Sequence, residues 1–151
     1  MLDDLDRRLL RRLQTNPAMP VAELCDAVGS TAAVTSRRLA RLRADRIILG
    51  KEAIIDWSKL GYNVEVSLRV GLDKTQSRAF DDFIAAAREV PEVIEIQTFL
   101  GRVDVRLSVI AKDMTQYQQI YQARILTLPH IADIEALMQV ARIKSDEVLP
   151  V

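Results

Sequence analysis

The sequence predicts an α+β chain in two parts, a small helical head followed by a body of strands and helices. Three observations predict it. Up to position 42 apolar residues recur at helical spacing. From position 63 short runs alternate apolar and polar, with helical stretches between them. The charge is also divided. Residues 1–51 carry ten Lys or Arg against six Asp or Glu, and residues 52–151 carry eleven against fifteen, so a formal net charge of zero conceals +4 and −4. Nine of the ten basic residues of the head are Arg. That surplus reads as a polyanion-binding surface or as a solvated helix face.

The head resolves into three helices. Leu2, Leu5, Leu9 and Leu13, with Leu10 beside them, make an apolar stripe. Asp3 and Asp4 lie at its start, where acids suit the positive helix end. The helix should stop near Asn16-Pro17. Pro20 can open a second helix with Val21, Leu24, Cys25 and Val28 inward, and Gly29 ends it with a left-handed cap. Thr31 can cap a third, whose inner side holds Thr35, Leu39 and Leu42. Three short helices with a tight glycine turn before the last form a helix-turn-helix pattern. Thr31, Ala32, Ala33, Ser36 and Arg37 should face outward on the half of the third helix that enters a major groove. Small Ala and Ser permit close approach, and Arg can hold guanine O6 and N7 together. Arg41, Arg43 and Lys51 are the candidate phosphate contacts. An ordinary three-helix unit with a basic surface is the plain alternative.

The body begins after a connector. Residues 53–56 read as a short strand and 56–61 as a turn, so the expected divisions are 1–52, 53–62 and 63–151. Trp57 reads either as a junction-packing residue or as a stacking surface for nucleic acid. Residues 63–72 form a half-buried strand, with Val64, Val66, Leu68, Val70 and Leu72 on one side. Phe80, Phe83, Ile84, Ala87 and Val90 mark a helix, and 93–100 a second strand. Leu100-Gly101-Arg102 is a turn. Val103, Val105, Leu107 and Val109 alternate with Asp104, Arg106 and Ser108 in a third strand. Met114, Tyr117, Ile120, Tyr121, Ile125 and Leu128 mark a second helix, and a fourth strand lies within 131–143. Val90-Pro91 and Leu128-Pro129 open similar segments 38 residues apart, so the body contains a weak internal repeat. Two strand-helix-strand units give a ferredoxin-like βαββαβ domain. Right-handed crossovers place both helices on one face of its sheet. The bare face would show Glu65, Arg69, Asp104 and Arg106, and a second copy of the chain is expected to pack there.

Composition narrows the function. At 49% hydrophobic and 28% charged the chain is globular, and its 151 residues allow one domain or two small ones. No run of about 18 apolar residues occurs, so no membrane span is expected. Met1-Leu2-Asp3-Asp4 lacks a basic region followed by an apolar core, so no secretory signal is expected. The single cysteine, Cys25, allows no internal disulfide and fits a reducing cytoplasm, the expected location; its inward position reads as a buried thiol rather than a redox sensor. One histidine, His130, and one cysteine exclude a His/Cys zinc site of four ligands. No phosphate-cradling glycine loop and no Cys–His or Ser–His pairing is suggested. No catalytic residue, metal or cofactor is therefore expected, and an enzyme on the βαββαβ body is set aside.

A winged-helix-like helix-turn-helix, a connecting strand and a βαββαβ domain in this order resemble the Lrp/AsnC family, the leucine-responsive or feast/famine transcriptional regulators. Leu5-Asp6, Leu9-Leu10, Glu23-Leu24 and Val28-Gly29 match in the head, then Arg38, Arg41-Leu42 and Ile47-Ile48. Asp56 with Leu60-Gly61 resembles the family's connector. Gly101-x-x-Asp104 resembles its middle turn, and Leu128-Pro129 the approach to its last strand. The resemblance implies a sequence-specific regulator that binds double-stranded DNA. It implies a homodimer assembling further, often to an octamer, through the second domain. It also implies an amino-acid effector near the Gly-x-x-Asp turn. Carried over by position, the effector candidates are Leu100, Gly101, Arg102, Asp104, Ile134 and Ala136. Asp104 would accept from an ammonium group, with Gly101 and Arg102 as donors to a carboxylate. The plain readings are a hairpin-capping carboxylate for Asp104 and a salt bridge for Arg102.

The chain departs from the family at this turn. Leu100 and Arg102 stand where many relatives have a small hydroxyl residue and an acid, and Ile134 and Ala136 stand where hydroxyls are common. That leaves an apolar or aromatic amino acid, a changed effector, or none. The last case makes the alternative an effector-independent, architectural DNA-wrapping protein. Pro20 replaces the family's usual Ser or Thr cap, which a first helical turn tolerates.

Overall fold

The computed structural model describes residues 1–145 and 148–151. The chain divides into two compact units, Met1–Ile54 with Lys144–Val151, and Ile55–Ile143.

The first unit holds α1 (Asp4–Thr15), α2 (Val21–Val28) and α3 (Ala32–Ala44). Asp3 caps α1 in a reciprocal capping box: the Asp6 N–H donates to Asp3 Oδ1 at 3.0 Å and the Asp3 N–H to Asp6 Oδ2 at 3.1 Å. Pro20 occupies the cap position of α2 in extended conformation, one residue before the helix rather than within its first turn. Its core is Leu9, Leu24, Val28 and Leu39, with Leu5, Leu13, Met19, Val21 and Ile48 packed around them. Cys25 is buried. Residues 144–145 and 148–151, which the sequence reading places with the sheet domain, belong to this unit. The Gln14 amide both donates to the Leu149 C=O at 3.3 Å and accepts from its N–H at 2.5 Å, and Arg11 donates to the Val151 C=O.

Residues 53–56 form no strand, contrary to expectation. Their short apolar run finds no pairing partner among the described residues, and Ile54 is fully exposed. A 3₁₀ turn, Trp57–Leu60, follows and closes on Gly61.

The second unit contains β1 (Val64–Leu72), α4 (Ala79–Arg88), β2 (Val93–Thr98), β3 (Val105–Ala111), α5 (Met114–Ile120, continued by a π-helical turn Tyr121–Ile125) and β4 (Ile131–Met138). The four strands form one antiparallel sheet in the order β2-β3-β1-β4. Val66, Leu68, Val70 and Leu72 of β1 and Val105, Leu107, Val109 and Ala111 of β3 pack with Phe83, Ala87, Tyr117, Ile120 and Ile125 in one core. Both helices therefore cover the same face, as two like-handed crossovers require. Burying each of these large side chains stabilises the unit by about 1.5–3 kcal/mol. The opposite face is polar. Arg106 pairs with Glu95 at 2.9 Å, Arg69 with Glu135 at 3.9 Å, and the Ser108 hydroxyl donates to Glu65 at 3.1 Å. Trp57 lies half-buried within this unit, with the Arg142 guanidinium 6.0 Å from its ring centre.

Two strand limits differ from the sequence reading. The Phe99 N–H donates to the Asp104 C=O at 2.9 Å, so β2 ends at Thr98 and β3 begins at Val105. The intervening residues are turn, and Gly101 takes φ 153°, a value side chains oppose. β4, Ile131–Met138, lies within 131–143 as the sequence reading has it. Asp104, expected on the bare face, is instead buried.

Candidate DNA-reading helix and hairpin site

The turn before α3 follows from one residue. Gly29 sits at φ 64° and ψ 51°, the left-handed conformation that a β-carbon penalises. The Ser30 N–H then reaches back to the Cys25 C=O at 2.9 Å. The chain next becomes extended at Thr31, whose hydroxyl accepts from the Val34 N–H at 3.3 Å and starts α3.

Helical periodicity sorts the side chains of α3. Thr35, Leu39 and Leu42 are buried. Thr31, Ala32, Ala33, Ser36 and Arg37 are all exposed, as the sequence predicts. Arg43 and, beyond the helix, Lys51 are exposed, and neither forms an ion pair among the described residues.

Arg41 differs from its assignment as a free phosphate contact. Its guanidinium is paired with Asp6 of α1, a fully buried carboxylate. Arg38 pairs with the same carboxylate at 3.5 Å and with Asp3 at 2.6 Å. Chiefly the Asp6 amide holds the Asp3 carboxyl below the usual aspartate range; burial opposes it, and the Arg38 guanidinium adds to the lowering. Sequence reasoning missed Asp6. The signal was present: positions 2, 6, 9 and 13 fall on one helical stripe, and an acid among three leucines there needs cationic partners.

The hairpin candidates are less unified. Leu100, Gly101 and Arg102 are exposed at the β2–β3 turn. Asp104 points inward. Its Oδ2 accepts from the Leu72 N–H at 2.8 Å and its Oδ1 pairs with Lys74 at 3.1 Å. Chiefly the Leu72 amide, and also Lys74, lower its carboxyl below the ordinary range although burial opposes this. The strand register joins Val105 to Val70 and Val70 to Ile134, so the root of the hairpin and Ile134 share one end of the sheet. Ala136 lies further along β4, opposite Leu68, and is exposed. No hydrogen bond or ion pair joins any two of the six candidates among the described residues. In one chain they outline a sheet end rather than a closed pocket. No helix in the described residues is long and apolar enough to cross a membrane.

Comparison with known proteins fits both units. Residues 2–43 match the AsnC-type helix-turn-helix domain, and residues 65–149 match the Lrp/AsnC ligand binding domain. The chain is 29% identical over 151 residues to the DNA-binding transcriptional activator DecR of Escherichia coli (strain K12), covering 100% of this chain and 99% of that one. It is 33% identical over 132 residues to the proline dehydrogenase transcriptional activator of Rhodobacter capsulatus, covering 87% and 86%. Among solved structures, a Neisseria meningitidis transcriptional regulator in complex with L-Met superposes with a TM-score of 0.91 at 25% identity, covering 99% of this chain and 97% of that one. An AsnC family transcriptional regulator from Agrobacterium tumefaciens gives 0.89 at 29%, again covering 99% and 97%. With both of its units matched in order, the chain belongs to the Lrp/AsnC family of transcriptional regulators.

Proposed function

We propose that the chain regulates transcription by reading duplex DNA with the amino-terminal half of α3, and that its sheet domain assembles copies and takes an amino acid or related small molecule. One observation carries the reading. The left-handed turn at Gly29 is followed by the exposed residues Thr31, Ala32, Ala33, Ser36 and Arg37. Small side chains around one arginine suit close approach to base edges, with Arg37 on a guanine and Arg43 and Lys51 on flanking phosphates. The polar sheet face is the surface assigned to a second copy. A dimer would read two half-sites about 34 Å apart, or a multiple of that.

The effector half rests on the matched ligand-binding domain and on the L-Met bound by the Neisseria relative. The exposed Leu100, and Ile134 and Ala136 in β4, favour an apolar side chain on that molecule. The same match speaks against an effector-free architectural role.

A gel-shift titration tests the DNA reading. Tighter binding to the region upstream of its own coding sequence than to random duplex supports it, and equal affinity rejects it. Calorimetry against the twenty amino acids, with light scattering alongside, tests the effector reading. Saturable binding of one that also shifts assembly supports it, and no binding by any rejects it.

A further inference from the structure

We infer that Asp6 is a specificity-determining positioning residue that withholds Arg38 and Arg41 from DNA phosphates; this rests on α3 being the reading helix. Arg41 is one turn beyond Arg37 on the same helix, so their β-carbons lie within about 6 Å. An unpaired guanidinium there would reach the backbone of any duplex that Arg37 touches, whatever its sequence. Asp6 prevents this. Its carboxylate is fully buried between α1 and α3, its backbone N–H is committed to Asp3, and it engages Arg41 and, at 3.5 Å, Arg38. Asp3 adds a second contact to Arg38 at 2.6 Å.

The charge arithmetic gives this arrangement its effect. Phosphate contacts add affinity equally on all sequences, and each one steepens the salt dependence by about 0.9 in log–log slope. Base contacts add affinity at the right sequence alone. By neutralising two of the four arginines of α3, Asp6 lowers the sequence-independent part and leaves Arg37 and the small residues to discriminate. The pair that Asp6 holds also fixes the carboxyl-terminal half of α3 against α1, and so sets the angle at which Arg37 is presented.

The test compares the full chain with Asp6→Asn and Arg41→Gln, using its own upstream DNA and random duplex from about 50 to 200 mM salt. Asn keeps the size and can still accept from the Asp3 N–H, but it does not hold the guanidinium groups. The expected Asp6→Asn result is a steeper slope on random DNA, losing roughly tenfold more affinity over that salt range than the native chain. Its preference for the upstream site should fall. Arg41→Gln should leave the slope unchanged. A slope for Asp6→Asn that is equal or shallower, with helical circular dichroism intact, overturns the inference. So does a slope for Arg41→Gln that is shallower by about one, because Arg41 would then be a phosphate contact. If Asp6→Asn does not fold, Arg41→Gln decides alone. Failure of the native chain to prefer its own site would instead reject the proposed function.

Discussion

Helix α3 and the β2–β3 hairpin are both exposed, yet they present their candidate residues in opposite ways. The α3 residues stand in one row, because a helix assigns each side chain a direction from its place in the period. The hairpin residues diverge: Leu100 and Arg102 point to solvent, whereas Asp104 turns in to the Leu72 N–H and Lys74. The proposed DNA-reading row is thus whole in a single chain. The hairpin tip, with Phe99 and Leu100 both exposed, leaves an apolar edge that the proposed second copy or effector would cover. The proposed helix surface needs one chain to be correct, and the proposed hairpin site needs a second copy to complete it.

The contrast yields predictions that fall in size. Phe83→Ala should destabilise the sheet unit by about 3–5 kcal/mol, because Phe83 is fully buried beneath the strands. Amide exchange should accelerate across 64–138 and stay slow in 4–44; acceleration in both would mean that α3 depends on the platform that supports the hairpin. Arg37→Ala should remove about 1–3 kcal/mol of discrimination at one base position while leaving the sheet unit unchanged. An unaltered preferred site in a binding-selection experiment would move the reading surface elsewhere on α3.

Acidification should act on the hairpin through Asp104. Its carboxyl titrates below the ordinary aspartate range in the folded chain, so the ionised form stabilises the fold. That contribution is complete above the unfolded value of about 4 and disappears as pH falls through the lowered folded value. Urea midpoints taken between about pH 5 and pH 2 should therefore drop less steeply for Asp104→Asn than for the native chain, and parallel curves would assign the effect to other groups. Leu100→Ser should change stability by less than about 0.5 kcal/mol, since its side chain touches little. It should nevertheless alter assembly size in light scattering if the tip is covered in the oligomer.

The elements of both units could be read from spacing because each buries one face. Leu9, Leu24, Val28, Leu39 and Leu42 fall where the helical period puts them, and the alternation in β1 and β3 marks their core side. What escaped depended on partners distant in the chain. Position 104 alternates correctly for the bare face, but it is the last residue of the turn and the Leu72 amide draws the carboxylate in. Arg41 is outward by period, but it is claimed by an acid 35 residues earlier. Residues 53–56 have strand composition without a strand to pair with, and the end of the chain is held by Gln14, which no local pattern announces.

The unpaired stretch before the sheet unit has a practical consequence. Irregular backbone whose amides make no hydrogen bond among the described residues is what a protease cleft binds, and Lys51, exposed just ahead of residues 53–56, is the first lysine of the chain. A lysine-specific protease should therefore cut there first. The excised 1–51 fragment would keep α1, α2, α3 and the Asp6 cluster in one piece. Its hold on the chain end through Gln14 and Arg11 is worth only about 0.5–1.5 kcal/mol per hydrogen bond. Digestion would thus supply a monovalent form of the proposed reader, against which the avidity of the proposed assembly can be measured.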